Sequence, residues 1–111
     1  MNRGISKGEM SVRLAGRTLV LCYTINSLCE MEDRAGMPLE RLMNRQFSAT
    51  RLLLWAGLRQ RQPELSVWDV GELIGECLGE GFGLEDIVKL CTRALQASGL
   101  MLPEEEPEDG A

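Results

Sequence analysis

Residues 11–23 read SVRLAGRTLVLCY, and this stretch decides the fold. Val12 and Leu14 alternate with Ser11 and Arg13, the period of a strand with one buried face. Ala15-Gly16-Arg17 offers a short turn containing glycine, and Thr18 to Tyr23 forms a second run rich in β-formers. The pattern predicts a β-hairpin. Leu19, Leu21 and Tyr23 share one face of its second strand, with Val20 and Cys22 on the other. Apolar groups on both faces predict that this strand is covered on both sides, or nearly so.

After the hairpin the apolar period changes from two to that of helices. Thr24 or Asn26 can cap a first helix, with Ile25, Leu28, Cys29 and Ala35 at helical spacing and Gly36 as its left-handed stop. Pro38 suits the first turn of a short second helix over Leu39 to Asn44. A third helix opens at Ser48 or Thr50 and runs to about Arg61. Leu52, Leu53, Leu54, Trp55, Ala56 and Leu58 make it apolar over most of its circumference, which predicts a central position and a buried Trp55. Ser66-Val67-Trp68-Asp69 is an S-x-x-D start signal for a fourth helix carrying Val67, Val70, Leu73, Ile74, Cys77 and Leu78. Gly71, Gly75 and Gly79 recur every four residues on it, a stripe that predicts close backbone approach by a neighbour. The glycine-rich run 79–83 breaks the chain; it lacks the G-K-[ST] ending of a phosphate loop. A fifth helix follows from Leu84 to about Ser98, with Gly99 as its cap. The expected class is α+β: an N-terminal β-hairpin packed on a small bundle of four to five helices, mostly α. The expected organisation is a flexible N-terminus over 1–9, a single α+β domain over 10–99 and a disordered acidic tail over 100–111.

Composition narrows the function. The chain has 111 residues, enough for one domain, and no run of apolar residues long enough to span a membrane. The opening MNRGISKGEMSVRL lacks the apolar stretch of a secretory leader, so a cytosolic chain is expected. Histidine is absent, which excludes His-based nucleophile pairs, His-ligated metals and imidazole switching. Cys22, Cys29, Cys77 and Cys91 show no CxxC spacing and each sits in an apolar run, so they read as small core fillers rather than disulfides or metal ligands. No catalytic, cofactor-binding or metal-ligating set is expected. Carboxylate pairs such as Glu30 with Asp33 and Glu72 with Glu76 read as solvated helix faces.

Charge is unevenly distributed. Residues 1–61 carry ten Lys/Arg against five acids, whereas residues 62–111 carry two against twelve. Such polarity favours head-to-tail contact or a partner of complementary charge. Nucleic acid is a poor candidate, because the basic residues are scattered and aromatic residues are few. Segment 52–78 could pass for two helices joined by a turn, but a small helical DNA-binding regulator needs a basic recognition helix. Asp69, Glu72 and Glu76 would repel phosphate there. Candidate partner-binding residues are the adaptable Met31, Met37 and Met43, Trp68 in a first helical turn, and Arg59 and Arg61 at the end of the central helix. Core filling by the methionines and dipole compensation by the arginines are the plainer alternatives.

Four stretches together resemble the phage tail assembly chaperones, most closely the group that includes the gene transfer agent tail protein. They are the hairpin LAGRTLVLCYTINSL, the acidic helix and short helix CEMEDRAGMPLERL, the central LLLWAGLRQ and the helix opening ELSVWDVGELIGE. Each is mostly helix grammar; their order and spacing over about residues 11 to 98 carry the likeness. The resemblance implies a non-catalytic protein of the host cytoplasm that binds the tape measure protein, keeps its apolar helices soluble, recruits tail tube protein and leaves before the particle is complete. Self-association is compatible with that role, whereas no membrane and no cofactor are implied. A structural tail component, tube or adaptor, is the alternative; two strands are few for a tube subunit.

Overall fold

The computed structural model describes residues 8–42 and 44–101. The expectations for 1–7 and 102–111, and the candidate Met43, lie outside the described residues.

The hairpin forms from β1 (Glu9–Leu14) and β2 (Arg17–Cys22), paired antiparallel with Val12 opposite Leu19 and Ser11 opposite Val20. Leu14 and Arg17 close a two-residue turn in which Ala15 and Gly16 both have positive φ, 51° and 78°. That is the turn whose twist matches the strands it joins. Gly16 takes this conformation freely; Ala15 pays a small steric cost. Val12, Leu14, Leu19, Leu21 and Tyr23 are buried on one face. The other face is less covered than its apolar content predicts: Val20 and Cys22 are only half-buried.

Five helices follow: α1 (Ile25–Ala35), α2 (Leu39–Leu42), α3 (Gln46–Leu58), α4 (Val67–Gly79) and α5 (Leu84–Ala97). The class is α+β, as expected. Thr24 caps α1, its hydroxyl accepting from the Ser27 N–H at 3.1 Å while Ser27 Oγ accepts from the Thr24 N–H at 3.2 Å. Gly36 ends α1 at φ 71°, and the Glu32 carboxylate then accepts from the Leu39 N–H at 3.0 Å, tying α2 to α1. The inward face of α1 differs from the expected one. Ser27 and Met31 are buried, whereas Ile25 is 62% exposed and Cys29 is exposed. Ser27 can be buried because the capping pair satisfies its hydroxyl.

α2 stops at Leu42, short of Asn44. α3 starts at Gln46, ahead of the Ser48 and Thr50 starts expected, and has no side-chain cap. Residues 46–48 are exposed, so water can satisfy the first N–H groups of the helix. Thr50 instead lies inside the helix and donates its hydroxyl to the Gln46 carbonyl at 2.8 Å. The central position expected of α3 is what the fold shows. Residues 52–58 are all buried, and α3 packs against β2, α1, α4 and α5. Ser66 and Asp69 form the capping box that opens α4, each accepting from the other's backbone N–H at 3.0 Å. At the start of α5 the Asp86 carboxylate accepts from the Gly83 N–H at 2.8 Å.

The glycine that close packing requires lies outside the α4 stripe. A Cβ on Gly57 of α3 would sit 2.5 Å from Tyr23 Cζ and 2.8 Å from Leu21 Cδ2, so only glycine lets β2 and Tyr23 lie on the central helix. In the stripe, a Cβ on Gly75 or Gly79 would meet nothing within 4 Å, and one on Gly71 would meet only the Arg51 side chain. The expected close approach does not occur there.

Candidate partner-binding surface

The five sequence candidates among the described residues do not gather into one surface. Met31 is 1% exposed and belongs to the core, with its edge beside Leu28, Leu39, Leu95 and Met101. Met37 is half-buried against that core. Arg59 and Arg61 are committed within the chain. Arg59 Nε meets the Glu30 carboxylate at 2.9 Å, and its guanidinium stacks 5.1 Å from the Trp55 ring centre. Arg34 approaches the same ring at 5.3 Å, so Trp55 is covered by two cations and is 5% exposed. Arg61 binds both oxygens of Glu9, at 2.7 and 2.6 Å, and so ties the segment after α3 to β1. Trp68 is 71% exposed at the start of α4, and of the five described candidates it is the one displayed as a bare apolar side chain.

The structure reveals an apolar groove between α3 and α4 that no candidate residue marked. Gly71, Ile74, Gly75 and Leu78 form its α4 wall; Phe47, Ser48 and Arg51 form its α3 wall, with Leu84 at one end. Phe47 is 73% exposed and Leu78 is 42% exposed. The bare backbone at Gly71 and Gly75 makes the α4 wall shallow. Arg51 extends over Gly71, and its Nε is buried without a hydrogen-bond partner. An arginine N–H in that state favours a carboxylate or carbonyl brought by whatever enters the groove. Two signals in the sequence bear on this groove. The glycine stripe was visible but pointed to an internal contact, and Phe47 went unnoticed because the predicted helix began after it.

The described residues offer little reactive chemistry. All four cysteines are free. Burial raises the thiols of Cys22 and Cys77 and pushes that of Cys91 up to about 12. Cys77 and Cys91 fill the core as expected, Cys22 is half-buried, and Cys29 is exposed, contrary to the core-filling expectation. Tyr23, which donates its hydroxyl to the Leu53 carbonyl, is likewise raised well above its ordinary value by burial. Among the described residues, no group of three or more His, Cys, Asp or Glu side chains is placed to hold a metal ion. Nor is any helix long and apolar enough to cross a membrane. In comparison with known proteins, no family model, no curated protein and no solved structure matches the chain.

Proposed function

We propose that this chain is a non-catalytic tail assembly chaperone of a phage, prophage or gene transfer agent. It acts in the host cytoplasm by binding apolar helical segments of the tape measure protein and assisting assembly of tail tube protein. The resemblance of residues 11–98 to that family suggests the role. The observation that carries it is the α3–α4 groove, in which Phe47 and Leu78 stay exposed beside a glycine-floored wall. Such a surface suits the apolar face of an amphipathic helix, and Gly75, where a Cβ would meet nothing within 4 Å, leaves room for a large side chain on the incoming helix. Arg51 would meet an acidic side chain or a helix C-terminus of the partner. Trp68, on the same helix, would extend the contact. The exposed acids of α4, Asp69, Glu72 and Glu76, oppose the DNA-binding alternative.

Co-expression with a candidate tape measure protein, pull-down and mass analysis of finished particles test the proposal. The expected result is a soluble complex that is lost with Phe47→Ser, together with absence of the chain from particles. Failure to bind, with the chain present in particles at stoichiometric copy number, would make it a structural tail protein instead.

A further inference from the structure

The two edges of the hairpin are treated differently. On the β2 edge, Val20 donates its N–H to Gln62 Oε1 at 2.9 Å, and Gln62 Nε2 donates to the Val20 carbonyl at 3.0 Å. A side-chain amide thus closes that edge. The backbone groups of Val20 therefore point out of the hairpin, so Val20 and its partner Ser11 share no hydrogen bonds. Alternation turns the N–H and C=O groups of Ser11 and Arg13 outward on the β1 edge, where no described residue bonds them. A groove opens beside these groups. Four consecutive residues, Met10 to Arg13, line it, so it faces the edge of the strand rather than one of its faces. Its floor is apolar, from Met10, Val12, Phe82 and Leu90, and of these only Val12 is fully buried. Lys89 and Arg93 stand exposed on its α5 side, and among the described residues neither has an ion-pair partner.

We propose that the β1 edge binds an extended segment of a partner protein, added antiparallel as a third strand, with apolar side chains at alternate positions and acidic side chains toward its C-terminal end. The site is separate from the α3–α4 groove, so it stands whether or not a helix binds there. The backbone specifies a strand: Ser11 and Arg13 each turn a donor and an acceptor outward, and extended backbone supplies the matching pair to both. The groove specifies the inward side chains. Those opposite Val12 and Met10 point to the same face as these two residues and enter the apolar floor. The residue opposite Arg13 faces an exposed guanidinium, which favours a carboxylate. Charge sets the direction. The start of β1 lies against the C-terminal end of α5, where a Cβ on Gly8 would sit 3.6 Å from the Ser98 Cα. Lys89 and Arg93 therefore stand toward the end of the groove where an antiparallel strand finishes, and its last side chains meet two cations. The acids of the groove, Glu80 and Asp86, lie toward its other end, and Asp86 is engaged by the Gly83 N–H. Glu9 takes no part and stays with Arg61.

Titration of the full chain with the acetylated, amidated peptide Ser-Glu-Val-Thr-Val-Ser-Glu-Glu, followed by nuclear magnetic resonance, tests this. Its Thr pairs with Ser11 and its first Glu with Arg13, which sets the two Val side chains opposite Val12 and Met10. The expected result is saturable binding that slows solvent exchange of the Ser11 and Arg13 amides and leaves that of Val20 unchanged. The counterpart peptide with Lys at each Glu position binds at least about tenfold more weakly. Lys89→Glu combined with Arg93→Glu weakens binding of the acidic peptide by about the same factor, with circular dichroism unchanged because both side chains are exposed. Ser11→Pro removes an outward N–H and no bond within the hairpin, so it also weakens binding. If that variant loses its fold, the charge-reversed pair carries the test. No saturable binding at millimolar peptide overturns the proposal, as does equal binding of the lysine counterpart. So does slow exchange of Ser11 and Arg13 without peptide. At every protein concentration it would mean that an end of the same chain covers the edge, and at high concentration alone that a second copy does.

Discussion

The side chain of Gln62 pairs with the backbone of Val20 through both its amide groups, 42 residues apart in the chain, and donates also to the Leu58 carbonyl at 2.7 Å. One residue therefore ends the central helix and closes a strand edge. Gln62→Ala leaves the half-buried N–H and C=O of Val20 unpaired and costs about 1–3 kcal/mol in urea unfolding. It also opens a second strand edge, so aggregation on storage is expected to rise, as followed by light scattering.

Gly57→Ala is expected to be among the most damaging single-methyl changes. The new Cβ would meet Tyr23 and Leu21 at 2.5–2.8 Å, and the strand cannot move without breaking the hairpin's seat on α3. Overpacking of this kind costs about 1–3 kcal/mol. Tyr23→Phe removes the bond to the Leu53 carbonyl and costs about 1 kcal/mol at the same junction. Thermal unfolding of the two variants compares the terms.

The start of α4 carries an acid-sensitive contribution. The backbone bond with Ser66, followed by its side-chain bond, holds the Asp69 carboxyl below its ordinary value of 3.8. A carboxyl lowered in the folded state adds stability above its unfolded pKa, and that stability is lost as pH falls through the folded value. Ser66→Ala removes the hydroxyl cap and is expected to cost about 0.5–2 kcal/mol at neutral pH, whereas Asp69→Asn removes the titrating carboxyl and is expected to flatten the acid limb of stability against pH. An acid limb as steep as that of the parent chain would contradict this.

The thiols should react in an order set by exposure. In the folded chain Cys29 reacts first with a thiol reagent and Cys22 more slowly, whereas Cys77 and Cys91 react only on unfolding. Cys91 also predicts an alkaline limit. Its folded pKa is pushed from the ordinary 9.0 to about 12, so the unfolded chain loses that proton first and stability falls across this window as pH rises. Cys91→Ala should make the fall shallower, as measured by urea titrations at a series of alkaline pH values.

Local chemistry in the sequence determined most of the fold. The hairpin needed only alternation around Ala15-Gly16, the cap at Thr24, the stop at Gly36 and the box at Ser66 and Asp69 needed only nearest neighbours, and the apolar girth of residues 52–58 announced a central helix. These signals span four or fewer residues, or repeat with one period, so they survive without knowledge of the partners. The tertiary structure decided what each element faces. Arg59 and Arg61 looked available until Glu30, Trp55 and Glu9 came to them across the fold. Met31 turned inward and Cys29 outward because α1 lies on α3 through its Ser27–Met31 side. Gly57, unremarkable in LLLWAGLRQ, became the contact point of strand and helix, while the conspicuous glycines of α4 came to line an open groove. Periodicity reports that a face is apolar. Whether that face meets the chain's own core or remains open depends on contacts between residues far apart in sequence, which no local pattern encodes.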